Sequence, residues 1–252
     1  MPQKLPQIIL SAFCVIAMLV LVPRFLKAAW PEKTNKSLLL KMICATLFVA
    51  LALLQVSISG NDSHFAQYML WGFVLSWFGD LFLHLRFKPK ALYYGLGVAA
   101  FFAGHVMFVS AYAHASSELL SSGFWNPWEL GAIALLFAAV LSFLLFKLKT
   151  HKNKFFPVLM VYAVAILTMM VKAVSLALRL AIDGQLSPLG AALLALGGVC
   201  FLVSDALLLL IDFGGKDGKP SRFKTFKLKS VNIWTYFVAQ ILLAFTIDFI
   251  VA

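Results

Sequence analysis

Residues 188–212 read PLGAALLALGGVCFLVSDALLLLID, and up to residue 211 the only charged side chain is Asp205. About 20 apolar residues in a row are enough to cross a bilayer as a helix. A lipid-exposed segment must satisfy its own backbone hydrogen bonds, which a helix does. Six runs of the same kind precede this one and one follows. The predicted spans are approximately 7–25, 37–57, 65–85, 91–114, 127–146, 155–180, 188–212 and 231–251. Pro127, Pro157 and Pro188 stand near span starts, where first-turn N–H groups have no helical partner to lose. Trp30, Trp125, Trp128 and Trp234 stand near span ends, where amphipathic rings favour the interface.

The composition agrees. Of 252 residues, 62% are apolar and 12% charged, against about 25% charged in soluble domains. No stretch is long or polar enough to form a separate soluble domain. The reading is all-α: residues 1–252 as a single transmembrane domain, a polytopic helical bundle of about eight spans. Lys4 before the apolar run Ile8–Val22 resembles a signal peptide, but the run is long, Arg24 follows, and no small-x-small cleavage site is evident. It is read as a retained first span. Cys14, Cys44 and Cys200 lie inside apolar runs without a CxxC pair and read as small buried residues.

The net charge of +11 comes from loops rather than a nucleic-acid face. Arg24, Lys27, Lys33 and Lys36 follow span 1, and Arg86, Lys88 and Lys90 follow span 3. Lys147, Lys149, Lys152 and Lys154 follow span 5. Lys216, Lys219, Arg222, Lys224, Lys227 and Lys229 follow span 7. The opposite side carries only Lys4 and Arg179. The positive-inside rule predicts these four basic loops in the cytoplasm and both termini outside. The expected setting is a multi-pass membrane protein, in the plasma (inner) membrane if bacterial. The expected partner is the lipid bilayer, not nucleic acid.

An internal repeat emerges when span 3 is laid on span 7. Gly72, Val74, Asp80, Leu83 and Leu85 fall on Gly197, Val199, Asp205, Leu208 and Leu210, an offset of 125. Span 4 follows loosely on span 8, with Phe102–His105 over Phe237–Gln240. Two parallel four-helix halves would give this pattern.

Charged side chains inside a bilayer cost about 2.5–3.5 kcal/mol even on lenient scales, so they face the bundle interior and find partners. Asp80 lies six residues before Arg86, about 9 Å below the basic surface at 1.5 Å per residue. The same arithmetic puts Lys41, Tyr162, Asp205, Tyr236 and Gln240 in one layer with it, with His105 nearer mid-membrane. The bland reading is a structural Asp80–Lys41 ion pair and an Asp205 bonded to a neighbouring backbone. Two acids at matching depth, with a Lys, a Gln and two Tyr, point instead to a site. His84 is expected at the interface, Lys172 and Arg179 to snorkel outward, and His64, His114 and His151 to be solvated. Asp80 and His84 share a helix face, but no HxxxH or HExxH spacing accompanies them, and no metal site is assigned. No glycine-rich phosphate loop or GxSxG elbow occurs, and Ser76 and Ser204 have no His nearby in sequence.

These polar positions carry a resemblance. Gly72, Ser76, Gly79 and Asp80 stand in GFVLSWFGD, His105 in FFAGHVMF, Ser204 and Asp205 in GGVCFLVSDALL, and Tyr236, Ala239 and Gln240 in YFVAQILL. With Lys41 early in span 2, and Tyr162 and Met169 in span 6, the chain resembles the YhhN-type lysoplasmalogenase family. The resemblance implies eight spans and hydrolysis of the vinyl ether bond of a lysophospholipid (lysoplasmalogen). Such hydrolysis needs a proton donor and negative charge near an oxocarbenium ion, and two carboxyl groups supply both in glycosidases. Asp80 and Asp205 are the expected catalytic pair, with the roles of acid and anion open. Lys41, Ser76, His105, Tyr162, Ser204, Tyr236 and Gln240 are the expected supporting residues, and no organic cofactor is implied. The 213–229 loop departs from the family pattern in being longer and more basic, which leaves head-group contacts open. A transporter or lipid-binding protein would use the same charges as an ion or proton path.

Overall fold

A computed structural model of the chain describes residues 4–60, 62–85, 91–121, 123–148, 156–214, 221 and 223–250. Arg86, Lys88, Lys90, Lys149, His151, Lys152, Lys154, Lys216, Lys219 and Arg222 lie outside the described residues, as does the side chain of Lys147. Among the described residues every regular element is helical. The elements are α1 (Leu5–Ala28), α2 (Asn35–Ser59), α3 (His64–Leu85), α4 (Ala91–Leu120), α5 (Pro127–Ser142), α6 (Phe156–Ile182), α7 (Pro188–Phe213) and α8 (Phe226–Phe249). A π-helical turn, Phe143–Leu148, continues α5. All eight, α5 together with its π-helical continuation to Phe146, are long and apolar enough to cross a bilayer.

Local chemistry sets several helix ends. Thr34 and Ser37 form a capping box that starts α2, with Ser37 N–H on Thr34 Oγ1 at 3.1 Å. Ser187 Oγ accepts from Gly190 N–H at 3.1 Å and Pro188 opens α7. Two boundaries differ from expectation. Helix α4 runs to Leu120 rather than 114, because its polar last turns are held from outside: Arg179 donates to Ser116 Oγ at 3.1 Å and Gln185 to the Leu119 carbonyl at 3.1 Å. Helix α8 begins at Phe226 rather than 231, capped by Thr225 through the Leu228 N–H at 3.2 Å. Hydropathy does not register either extension because both are polar.

The helices matched by the sequence offset also pack in pairs. The closest helix pairs include α3 with α4 and α7 with α8. Gly72 makes the first possible, since a Cβ there would stand 2.5 Å from the Phe108 ring. Gly197 makes the second possible, since its Cβ would stand 2.6 Å from Leu243. Small residues at such crossings let helix backbones approach in lipid, where packing rather than water expulsion drives association. Helix α2 packs on α3 and α8, and its equivalent α6 packs on α7 and α4. Each half therefore wraps around the other.

Helix α5 is peripheral. It packs mainly on α6, and its one buried side chain is Glu129. Glu129 accepts from Lys172 Nζ at 3.0 Å and from the Ser175 hydroxyl, and Lys172 also donates to the Phe124 carbonyl. Lys172 lies 4.8 Å from the Trp125 ring. This corrects the expectation that Lys172 snorkels: it is 2% exposed and ion-paired, because an acid one helix away meets it inside the bundle.

Candidate active site

Two polar clusters sit where equivalent helices cross. Asp80 on α3 accepts from Lys41 Nζ on α2 through Oδ1 at 2.7 Å, and from the Tyr236 hydroxyl on α8 through Oδ2 at 2.9 Å. Asp205 on α7 accepts at Oδ2 from the Tyr162 hydroxyl on α6 and lies 3.1 Å from His105 Nε2 on α4. His105 Nε2 is also 3.0 Å from the Tyr162 oxygen, so the three groups form a closed triangle. The expectation that His105 lies deeper than the polar layer is corrected by these contacts. Asp80 thus has a cationic partner, and Asp205 has a hydroxyl and an imidazole. The clusters exchange partners between halves: Asp80 takes Tyr236 from the second, Asp205 takes His105 from the first.

Aromatic rings separate and floor the clusters. Phe201 lies edge-on to His105 at 4.9 Å and to Tyr236 at 5.6 Å between centroids. Phe48, Phe73, Phe108 and Phe201, all fully buried, form a connected belt on the inner side.

A polar cavity of about 540 Å³ opens above the clusters. Lys41, Asp80, His84, Ser204, Asp205, Asn232 and Tyr236 line its deeper part. A smaller apolar pocket of about 90 Å³ lies between α4, α5, α6 and α7, lined by residues such as Val98, Val140, Leu159 and Ile166, with Tyr162 at its polar end. The two spaces share Leu83, Phe101, Asp205 and Leu208. Asp205 is therefore the acid that faces both a polar and an apolar compartment, and Asp80 faces only the polar one.

The remaining expected residues are placed differently. Ser76 donates to the Gly72 carbonyl of its own helix at 2.8 Å and lines neither space. Ser204 receives Asn232 Nδ2 at 3.1 Å on its hydroxyl, and the same amide reaches the Ser204 carbonyl at 2.6 Å. Gln240 is fully buried, one turn along α8 from Tyr236, and lines neither space. His84, one residue before the end of α3, is fully buried and lies 2.9 Å from Ser37 Oγ in the first turn of α2. His64 is exposed and His114 half-buried, their rings 4.9 Å apart. Sequence reading missed Asn232. Its spacing was a usable signal, since Asn232, Tyr236 and Gln240 recur every four residues on one α8 face. Among the described residues no group of three His, Cys, Asp or Glu side chains is placed to hold a metal ion.

The family model for the YhhN family matches residues 36–247, which include every residue of both clusters. The chain belongs to the YhhN family. The matched region of this YhhN-family chain begins at the second residue of α2 and ends within α8, so α1 lies wholly outside it. No curated protein and no solved structure matches the chain.

Proposed function

We propose that this YhhN-family protein is a membrane hydrolase that cleaves the vinyl ether bond of lysoplasmalogens, releasing a fatty aldehyde and a glycerophospho-head-group. The observation that carries the reading is the junction at Asp205. A single-chain lipid laid across it has the first carbons of its chain at the apolar pocket, its glycerol in the polar cavity and its ether bond between them.

The two acids have different partners and take different roles. The Asp205–Tyr162–His105 triangle supplies the proton, shared within the group rather than owned by one atom. The proton adds to the β-carbon of the vinyl ether and leaves an oxocarbenium ion. Asp80, neutralised in the resting site by Lys41, provides the anion that stabilises that cation across the cavity. Water from the polar cavity adds to the cationic carbon and returns a proton to the triangle. The hemiacetal hydroxyl then gives up its proton to form the aldehyde C=O as the bond to the glycerol oxygen breaks, and the leaving glycerol oxygen takes up a proton. The aromatic belt below the clusters favours this reading over transport, since it stands where an ion path would continue.

The test is aldehyde release from 1-alkenyl-glycerophosphoethanolamine by purified protein in detergent. Wild-type protein releases aldehyde, and Asp205→Asn lowers turnover by about 10²–10⁴, the usual contribution of a general acid. Asp80→Asn also lowers it, through lost charge. Wild-type turnover in both variants, each monodisperse, refutes the two-carboxylate mechanism. No release by the wild-type protein refutes the activity.

A further inference from the structure

The polar cavity is unevenly charged along its depth. Its floor holds Asp80, Lys41 and Asp205, and its mouth holds Lys33, Lys224 and Lys229 together with Glu32 and Asp212. Asp212 stands seven residues from Asp205 along α7, and Lys229 seven residues from Tyr236 along α8. The two levels are therefore about 10 Å apart at 1.5 Å per residue. Two of the lysines are fixed in place. Lys33 Nζ donates to the Leu83 carbonyl at 2.9 Å, and Lys229 Nζ donates to the Ala29 carbonyl at 2.6 Å while lying 5.7 Å from the Trp30 ring. Lys224, just before the α8 cap, is exposed.

Among the described residues three ammonium groups and two carboxylates line the mouth, and the ammonium groups are the kind of partner a phosphodiester takes. A lipid whose ether bond lies at Asp205 places its phosphate on this side, one glycerol unit toward the mouth. Resting on the hydrolase reading, we propose that the mouth is a phosphate subsite for the substrate head group, with Lys224 and Lys229 as its principal cations. Lys229 is held at the Ala29 carbonyl and beside the Trp30 ring, so its charge is positioned before the lipid arrives. Lys224 is exposed and closes on the phosphate once it is bound. This makes the phosphate, and not the alkenyl chain alone, a determinant of which lipids are cleaved.

Binding is tested apart from turnover. The probes are 1-O-alkyl-glycerophosphoethanolamine, which has no vinyl ether to protonate, and 1-O-alkylglycerol, which has no phosphate. Equilibrium binding is measured in mixed micelles for the full chain, Lys224→Met, Lys224→Arg and Lys224→Met/Lys229→Met. The full chain is expected to bind the phosphate-bearing probe roughly tenfold more tightly, the scale of one or two hydrogen bonds to a charged group. The double Met variant is expected to lose that preference, and Lys224→Arg to keep it. Affinity for 1-O-alkylglycerol stays constant in all four, which also reports that the variants are folded. Equal affinities for the two probes in the full chain, or an unchanged preference in the double variant, overturn the subsite. Inorganic phosphate displacing the lipid probe at equal concentration assigns the cations to free phosphate instead and also overturns it. Binding as expected with no aldehyde release from the vinyl ether leaves the subsite standing and refutes the hydrolase reading.

Discussion

Replacing Lys41 by Met removes the cation 2.7 Å from Asp80 Oδ1 while keeping most of the side-chain volume. Both side chains are nearly shut off from solvent, with 9% of Lys41 and 2% of Asp80 exposed. Asp80 would then retain the Tyr236 hydroxyl as its hydrogen-bond donor, and of the described cations only the more distant Lys33 would still act on it. Removing one member of a buried ion pair costs roughly 3–5 kcal/mol. For a chain of this size each kcal/mol lowers the unfolding midpoint by roughly 2–4 °C, so the expected drop is roughly 6–20 °C. Asp80→Asn alone orphans the ammonium and lowers the midpoint by a comparable amount. The double variant Lys41→Met/Asp80→Asn buries no charge at this position and recovers most of the loss, because contacting residues couple rather than add. Thermal unfolding of the detergent-solubilised protein measures all four midpoints. Aldehyde release does not recover in the double variant, since no carboxylate remains at position 80. Additive losses, or single variants with unchanged midpoints, refute the claim that this pair is a buried ion pair on which the site is built.

Glu129→Gln leaves Lys172 buried without its counter-charge and lowers the midpoint by a comparable amount. Turnover at 25 °C is unchanged, because Lys172 is ten residues, about 15 Å, from Tyr162 along α6. Melting and activity on the same preparation check both halves of this expectation. Gly72→Val forces a branched Cβ into the Phe108 ring and destabilises by about 1–3 kcal/mol, the usual effect of overpacking, visible as a lower midpoint. Reporter fusions at the C-terminus and within residues 213–229 are expected to report opposite sides of the membrane, with the C-terminus outside. A cytoplasmic C-terminus reverses the orientation.

The spans were legible because each is an apolar run of bilayer length, and the site residues because charge within such a run is conspicuous. Asp80, Lys41 and Asp205 stand out from their neighbours for that reason alone. Pairing was legible only in part. The Lys41–Asp80 ion pair was among the readings of the sequence, whereas Tyr162 and His105 on Asp205 depend on α6 packing against both α7 and α4. Depth counted along a helix axis also misplaced His105, since tilt and side-chain reach shift a group by several Å. Glu129 escaped notice because an acid in the first turn of a span resembles an interfacial residue. Only the neighbouring helix reveals that it is buried. Asn232 was hidden in the same way, one residue inside the predicted start of α8.

The chain order of the cluster residues bears on how the protein enters the membrane during synthesis, when N-terminal segments emerge first. Lys41 precedes Asp80, and both His105 and Tyr162 precede Asp205. Each site carboxylate is thus delivered to a bilayer in which a partner already waits. Neither acid has to be stabilised by helices not yet made, and the only late arrival, Tyr236, adds a hydroxyl to an ion pair that is already closed. Glu129 breaks this order, because Lys172 follows it. It does so at the third position of α5, where an acid can remain in contact with water until α6 brings the lysine.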